Sequence, residues 1–401
     1  MKVRLAVVAG GALALSACAT RTEPEGVVPV APLSAAPAPV EVQILAFNDI
    51  HGNLEPPKLS IEAGTREAPL RVPAGGIAHL ATAAKTLRAG HPRSVTVSAG
   101  DMIGGSPFVS ALFLDEPTIE AMEEVGVEYN AVGNHEFDKG WAELLRMQRG
   151  GCDKHTTRQP CKLEPFDGSD FKFLAANVVT AQGGTLFPGT AIKDFGGVQV
   201  GIIGMTLTET KTLVTPAGVA GLTFADEAAT ANAAVPALKA AGADAIVLLI
   251  HHGATTTGRY NDKSCPGIDG EILPVIARLD PAIELVVSGH THQAYICELP
   301  RAGGGQPVLL TSAGRYGTLI TDIRLTFAPD GTLQSRRADN IIVQGEGYTW
   351  GGTTVPIVSA FPVYAADPAT KTIVAIGTSA IRGARVLNVG VNHAPWYGQR
   401  L

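Results

Sequence analysis

The sequence predicts an α/β protein, because short apolar segments alternate with segments of helical periodicity over most of the chain. Of its 401 residues, 45% are hydrophobic and 17% are charged, so the chain can bury a large core. Polar motifs directly follow several of the apolar segments. Buried strands that alternate with helices favour a mostly parallel central sheet, and such sheets carry their functional residues at the strand ends.

The predicted strands are short apolar runs bounded by polar or glycine-rich segments. They cover residues 42–47, 94–98, 129–132, 171–175, 198–203, 245–250, 284–287, 308–311 and 319–327. The predicted helices place apolar residues three and four positions apart, and they cover 78–87, 117–125, 141–147, 225–241 and 272–279. The length of the chain favours one large or two ordinary domains.

Acidic residues outnumber basic ones, 37 against 31, which gives a formal net charge of −6 at pH 7. Proteins that bind a nucleic-acid backbone draw affinity from lysine and arginine side chains that displace counterions. The charge balance therefore excludes a strongly basic nucleic-acid binder, and we expect no nucleic-acid duplex among the partners.

The first eighteen residues have the pattern of an export signal. Lys2 and Arg4 precede an apolar run at 5–17, which at about 1.5 Å per residue is too short to span a bilayer. Small residues lead into Cys18, a pattern that resembles a bacterial lipobox with Cys18 lipidated; an ordinary signal peptide with a chance cysteine is the alternative. We expect an exported protein, anchored by lipid to the periplasmic face of a bacterial membrane, with the Pro- and Ala-rich segment 19–40 as tether.

Four cysteines remain beside Cys18, in a setting that export would make oxidising. Cys152 and Cys161 lie close together across a polar loop, and Cys265 and Cys297 are the other candidate pair. Four cysteines allow three connectivities, and the sequence does not choose among them. A zinc site built from all four thiolates is the alternative, although no CxxC spacing supports it.

Five polar motifs follow predicted strands and are rich in Asp, Asn and His. They are Asn48 to Asn53, Gly100-Asp101, Gly133 to Asp138, His251 to Gly253, and Gly289 to His292. Six of the ten histidines lie in these motifs, which makes chance placement a poor explanation. Their side chains are the ligands that borderline divalent metals such as zinc, manganese or iron accept.

This ordered set of motifs resembles the dinuclear metallophosphoesterase (calcineurin-like) superfamily. The segments NDIHG, SAGDMIGGSP, GNHEFD and SGHTHQ are similar to its exported bacterial branch of 5′-nucleotidases and UDP-sugar hydrolases, which also includes 2′,3′-cyclic-nucleotide phosphodiesterases. The resemblance covers about residues 42–343, and it includes the four-cysteine pattern. It implies a four-layer αββα sandwich with two mixed β-sheets and metal ions at the strand ends.

The resemblance also implies roles for individual residues. Two divalent metal ions are expected, such as zinc or manganese, and their identity is open. One ion would be held by Asp49, His51, Asp101 and His292. The other would be held by Asp101, Asn134, His251 and His290. Asp101 would bridge the two ions. His135, oriented by Asp138, would stabilise the transferring phosphoryl group and the leaving oxygen. Glu136 receives no role from the sequence, and His252 is expected to lie outside the ligand set.

We therefore expect a metal-dependent phosphoesterase that acts on nucleoside 5′-monophosphates or related nucleotides by hydroxide attack. The alternative is an exported metal-binding lipoprotein with this fold and little catalysis. The expected domains are the signal at 1–18, the tether at 19–40, the catalytic domain at 41–345, and a linker with a truncated tail at 346–401. In that tail the resemblance stops near residue 375, so the C-terminal nucleotidase domain of full-length relatives is expected to be missing.

Overall fold

A computed structural model describes residues 38–386 of the chain. The predicted signal peptide, the predicted lipidation site Cys18 and most of the predicted tether lie outside the described residues, as does the tail from residue 387. No helix within 38–386 is both long and apolar enough to cross a membrane.

Strands and helices alternate along the described chain. The strands are β1 (Val40–Phe47), β2 (Leu59–Gly64), β3 (Pro69–Ala74), β4 (Ser94–Ser98), β5 (Tyr129–Ala131), β6 (Lys172–Leu174), β7 (Val178–Thr180), β8 (Thr190–Asp194), β9 (Gln199–Thr206), β10 (Leu222–Phe224), β11 (Ala245–His251), β12 (Ile283–Ser288), β13 (Ala294–Leu299), β14 (Val308–Ala313), β15 (Leu319–Phe327), β16 (Leu333–Ile342), β17 (Tyr348–Trp350) and β18 (Thr353–Val355). The helices are α1 (Ile77–Arg88), α2 (Phe108–Ala111), α3 (Glu116–Val125), α4 (Trp141–Arg149), α5 (Thr210–Leu213), α6 (Glu227–Ala240), α7 (Ile272–Arg278) and α8 (Pro368–Val386).

Two six-stranded mixed sheets form the centre of the protein. Their strand orders are β16-β15-β1-β4-β5-β6 and β13-β14-β12-β11-β9-β8. In the first sheet β1, β4, β5 and β6 pair in parallel, and β15 and β16 are joined to β1 by antiparallel pairing. In the second sheet β9, β11, β12 and β14 pair in parallel, and β8 and β13 complete the two edges by antiparallel pairing. The residue pattern alone favoured one mostly parallel central sheet, which is wrong. An apolar run shows that a strand is buried, but long-range pairing decides which sheet it joins. The two mixed sheets that the resemblance implied are confirmed.

Side-chain alternation along the strands builds the layers. On β1, Leu45 packs into the core beneath α1 and α3, while its neighbour Ile44 packs between the two sheets. On β11, Leu249 faces the same inter-sheet core, and Leu248 packs with α6 and α7 on the far side. The order is therefore helices, sheet, sheet, helices, which is the αββα sandwich.

The segment after β16 packs against the same core as the strands before it. Gln344 Nε2 donates to the carbonyls of Val358 and Phe361 at 3.1 and 2.9 Å. The ring of His79 on α1 makes a 2.7 Å hydrogen bond with the carbonyl oxygen of Tyr364. Helix α8 then contacts α1, α2 and α3. Residues 344–381 are therefore continuous with the packed unit.

Two disulfides staple loops of the described chain. One joins Cys152 to Cys161 within the loop that follows α4. The other joins Cys265, in the loop before α7, to Cys297 on β13. This is one of the three connectivities that the sequence left open. The second disulfide is buried in the core under α6 and α7.

Candidate active site

The loops that carry the five sequence motifs meet at one edge of the sandwich. Three of the loops follow β1, β4 and β5 of the first sheet, and two follow β11 and β12 of the second. They bring together the expected metal ligands and the expected dyad: Asp49, His51, Asp101, Asn134, His135, Asp138, His251, His290 and His292. Because the strands ending here belong to both sheets, the site straddles the interface between them.

One group of ligand atoms is formed by Asp49, His51 and His292. Asp49 Oδ1 lies 3.3 Å from His292 Nε2 and 3.7 Å from His51 Nε2. The two imidazole Nε2 atoms are 3.0 Å apart. Asp101 Oδ2 lies 3.6 Å from His51 Nε2, so this carboxylate borders the group as well.

A second group contains Asp101, His251 and His290. Asp101 Oδ2 is 3.0 Å from His251 Nε2, so the oxygen that faces the first group faces this one too. Asn134 Oδ1 joins the group through a 3.0 Å contact with His290 Nδ1. The two groups together contain the seven residues that the sequence assigned to metal binding, and Asp101 lies between them.

Backbone carbonyls fix the rings of two of these histidines. His51 Nδ1 is 2.9 Å from the carbonyl oxygen of Gly104, and His251 Nδ1 is 2.7 Å from that of Ala99. A carbonyl only accepts, so both Nδ1 atoms carry a proton and the Nε2 atoms are the ring nitrogens that face the site. His251 Nε2 is fully buried and makes no hydrogen bond in the described structure. This is the outer support that metal-binding histidines use, so the residues fit a divalent ion.

His135 and Asp138 lie beside the first group. His135 Nδ1 is 2.8 Å from Asp138 Oδ2, and the His135 ring is 5.0 Å from that of His51. The backbone N–H of His135 donates to Asp101 Oδ1 at 2.9 Å. The side chain of His135 is 38% exposed, so part of the ring is open to solvent.

The comparison with known families agrees with this geometry. The family model of the calcineurin-like phosphoesterases matches residues 42–294, which is more than half of the chain. The chain belongs to this family. Every expected metal ligand and both residues of the dyad fall inside the matched segment.

Two curated relatives and one solved structure illustrate the likeness within the calcineurin-like phosphoesterases. The chain is 34% identical to the endonuclease YhcR of Bacillus subtilis over 70% of its own length and 21% of that protein. It is 27% identical to the NAD 5′-nucleotidase of Haemophilus influenzae over 74% of its own length and 46% of the relative. The crystal structure of a 5′-nucleotidase precursor from Thermus thermophilus superposes with a TM-score of 0.63 at 23% identity, covering 86% of this chain and 59% of that one. The chain thus spans less than half of these two curated relatives.

Electrostatics keep the two central carboxylates of this phosphoesterase ionised. Burial disfavours the charged form of Asp101, but the imidazoles of His251 and His51 outweigh it and lower the pKa of Asp101. Burial likewise opposes the ionised form of Asp49, and its contacts with His292 and His51 hold its pKa well below the ordinary value. Burial together with the charge of His251 lowers the pKa of His290 to about 4. The site therefore offers anionic oxygens and a neutral imidazole, which metal ligation requires.

Five of the seven expected ligands have left-handed backbone conformations. They are Asp49, His51, Asp101, His290 and His292, with φ angles of 53, 47, 52, 76 and 58° respectively. Such conformations cost about 1–3 kcal/mol each for residues other than glycine, and they concentrate at functional sites. Backbone hydrogen bonds between the loops hold them in place, including His51 N–H to the Asp101 carbonyl at 2.9 Å.

Glu136 is a site residue that sequence analysis missed. Its buried carboxylate accepts backbone N–H groups from Asp101, Met102 and Gly133 at 2.9, 2.9 and 2.8 Å. Burial and then the charge of Asp101 raise its pKa to about 7, against the opposing effect of His251 and the backbone donors. Glu136 therefore clamps two ligand loops together. Its position inside a motif was visible, but nothing in the sequence showed that its side chain turns away from the metal ligands.

The remaining motif histidine lies apart from both ligand groups. His252 Nδ1 is 3.5 Å from Glu227 Oε1, and His252 is buried beside α6. The sequence expectation that His252 stands outside the ligand set matches this placement. Arg315, by contrast, was not singled out from the sequence, although it follows the predicted strand at 308–311, and its guanidinium contacts His292.

Proposed function

We propose that this chain is a metal-dependent phosphoesterase that hydrolyses nucleoside 5′-monophosphates or related nucleotides at the strand-end site. The observation that carries the proposal is the pair of ligand groups that share Asp101, whose Oδ2 atom is 3.6 Å from His51 Nε2 and 3.0 Å from His251 Nε2. One carboxylate oxygen that faces two sets of nitrogen and oxygen ligands is the arrangement that a pair of divalent ions needs.

The residues would divide between two ions. Asp49, His51, Asp101 and His292 would hold one, and Asp101, Asn134, His251 and His290 would hold the other. The residues would thereby supply the site with Lewis-acid chemistry, which would polarise a phosphoryl group and would provide hydroxide near neutral pH. Two carboxylates and five neutral ligands leave the loaded site with a net positive charge, which attracts the phosphate dianion of a monoester.

The proposed role of His135 follows from its hydrogen bond with Asp138. The carboxylate accepts the hydrogen bond from Nδ1–H and so orients the ring. Burial lowers the pKa of His135, but the hydrogen bond to Asp138 and the charge of Asp101 outweigh this effect. The pKa of His135 is therefore raised, and a protonated ring can donate from Nε2 to the leaving oxygen. General acid catalysis of this kind is typically worth about 10²–10⁴-fold.

The nucleotide part of the proposal draws support from the Haemophilus relative, which is described as an NAD 5′-nucleotidase. The Bacillus relative is an endonuclease, so polynucleotides belong in the same test. The experiment measures phosphate release by the purified chain, freed of metal and reloaded with manganese or zinc. The substrates are AMP, a UDP-sugar, an aryl phosphate, an aryl phosphodiester and duplex DNA, and Asp101→Asn is the control.

The proposal predicts metal-dependent release from AMP that Asp101→Asn abolishes. A chain that holds two ions yet releases nothing from any ester would instead be a metal-binding protein without catalysis. Cleavage of DNA in preference to AMP would replace the nucleotide assignment.

We also propose export with a lipid on Cys18, supported by the charged and apolar N-terminus and the small residues before this cysteine. The wild-type protein should then fractionate with membranes in a bacterial host, and Cys18→Ser should release it. Wild-type protein found in the soluble exported fraction would contradict lipidation.

A further inference from the structure

Arg315 lies on the loop between β14 and β15, at the same edge as the ligand loops. The next residue, Tyr316, has a left-handed φ of 56°, and its backbone N–H donates to the Asp49 carbonyl at 2.7 Å. The carbonyl of Arg315 accepts from both the N–H and the hydroxyl of Thr318, at 3.0 and 2.7 Å. The backbone at Arg315 is therefore fixed relative to Asp49.

The guanidinium of Arg315 has few partners. Its Nη1 lies 3.2 Å from His292 Nδ1, and its central carbon lies 5.0 Å from the centre of the Tyr316 ring. Within residues 38–386 no carboxylate oxygen approaches it within 4.0 Å, whereas Arg146 and Arg324 have carboxylates at 2.6 and 2.7 Å. Arginine stays protonated in proteins, so this positive charge borders the site without a neighbouring counter-charge.

The contact with Arg315 determines which nitrogen of His292 carries the ring proton. Arginine only donates, so His292 Nδ1 accepts from Arg315 and His292 Nε2 carries the ring proton. That Nε2 is 3.0 Å from His51 Nε2, the nitrogen of the His51 ring that faces the site, while His51 Nδ1 donates to the Gly104 carbonyl. His292 thus differs from His51 and His251, whose Nδ1 atoms face carbonyl acceptors.

Metal ligation by His292 is incompatible with this hydrogen bond. A neutral imidazole that gives Nε2 to a cation carries its proton on Nδ1, and an N–H cannot accept from a guanidinium. Arg315 then loses its hydrogen bond to His292. Its planar donors match the oxygens of a phosphoryl group, which guanidinium binds through charge-assisted hydrogen bonds.

We propose that Arg315 is a substrate-binding residue whose guanidinium leaves His292 when the site is loaded and binds a non-bridging oxygen of the phosphoryl group. The inference rests on the proposed function, because it requires a cation bound to His292. It applies equally to a phosphoester substrate and to inorganic phosphate, because the same anionic oxygens are recognised.

The test is the affinity of the manganese-loaded chain for inorganic phosphate, measured by calorimetry. The variants are Arg315→Met, which removes the charge at similar length, Arg315→Lys, which keeps it, and Arg337→Met as a control of equal charge change. Arg337 lies on β16, is 62% exposed and pairs with Glu41. We expect Arg315→Met to weaken phosphate binding at least tenfold with unchanged metal content, Arg315→Lys to weaken it less, and Arg337→Met to match the wild type. Phosphate affinity of Arg315→Met within twofold of the wild type would overturn the inference.

Metal affinity gives an independent readout. In phosphate-free buffer, Arg315→Met should bind manganese more tightly than the wild type, because no donor then competes for His292 Nδ1. Equal or weaker metal binding would overturn the exchange of partners. The two proposals can fail separately. If the wild-type chain cleaves no ester, the proposed hydrolase is wrong. If Arg315→Met nevertheless binds phosphate more weakly than the wild type, this inference still holds.

Discussion

The backbone N–H of Asp101 donates a 2.9 Å hydrogen bond to Glu136 Oε2, so a buried carboxylate holds the residue that lies between the two ligand groups. The same oxygen accepts from Gly133 at 2.8 Å, one residue before Asn134. A single side chain therefore sets the separation of two loops that come from neighbouring strands, β4 and β5.

Glu136→Gln should destabilise the protein and weaken metal binding. The amide nitrogen would replace one of two accepting oxygens and leave at least one backbone N–H facing a donor, which costs about 1–3 kcal/mol. We expect a lower unfolding temperature and a lower metal content at equal free manganese. The control is Glu62→Gln on the exposed β2–β3 hairpin, which should change neither quantity. Wild-type stability and metal content in Glu136→Gln would show that the clamp is dispensable.

Asp101→Ala should abolish hydrolysis and reduce bound metal by more than one ion per chain. The reason is that Asp101 Oδ2 faces both ligand groups, so its removal leaves each with one anionic oxygen fewer. Metal analysis after dialysis measures the outcome, with the Glu62→Gln protein treated in parallel. Two ions retained per chain would rule out Asp101 as the shared ligand.

His135→Ala should retain both ions and lose about 10²–10⁴-fold in turnover, because general acid help is removed while the ligand groups stay intact. Asp138→Asn should show a smaller loss, since the ring remains but its orienting carboxylate does not. Steady-state kinetics on AMP and on an aryl phosphate measure both variants. The loss should be smaller for the aryl phosphate, whose leaving group needs less protonation. Near-normal turnover on AMP would remove His135 from the mechanism.

The pKa of Glu120 on α3 predicts that the stability of the protein depends on pH, independently of the candidate active site. Burial, followed by the charges of Glu164, Glu116 and Glu123, raises its pKa from 4.5 to about 7. A carboxyl whose pKa is raised by folding binds more protons in the folded state, so the wild type loses stability as the pH rises from about 4.5 to about 7. The loss is about 1 kcal/mol once solvent screening is allowed for.

Glu120→Gln removes this titration. Thermal unfolding should find the variant more stable than the wild type at pH 8 and equal to it at pH 4.5. The comparison variant is Glu271→Gln, a substitution with the same charge change on an exposed residue before α7, which should follow the wild type at both pH values. An equal difference between Glu120→Gln and wild type at both pH values would contradict the prediction.

The sequence predicted the central strands well because their apolar runs are buried on both faces. The segments 94–98 and 319–327 match β4 and β15 in both bounds. The hairpins β2–β3 and β17–β18 and the edge strands β13 and β16 were missed. Many residues of the two hairpins and of β16 are exposed or half-buried, so their composition resembles that of loops, whereas the centre of β13, at 295–297, is buried.

The site residues were predictable where a motif placed polar side chains after a strand, as at Asp49, Asp101 and His290. What the sequence could not supply was the direction of each side chain. Glu136 lies inside a motif yet points into the backbone of its neighbours, and Arg315 lies outside every motif yet contacts His292. Both placements depend on loops that approach one another only in three dimensions.

The left-handed ligand residues have a consequence for the choice among ions. Backbone hydrogen bonds tie Asp49 to Gly100, and Tyr316 to Asp49, so a ligand cannot move outward without breaking contacts in a neighbouring loop. A metal site whose ligands are held in fixed positions discriminates by ionic radius, whereas flexible oxygen-rich loops adapt to larger ions such as calcium. Small ions that accept four to six nitrogen and oxygen ligands should therefore enter this site, and calcium should be excluded by size even where it is far more abundant.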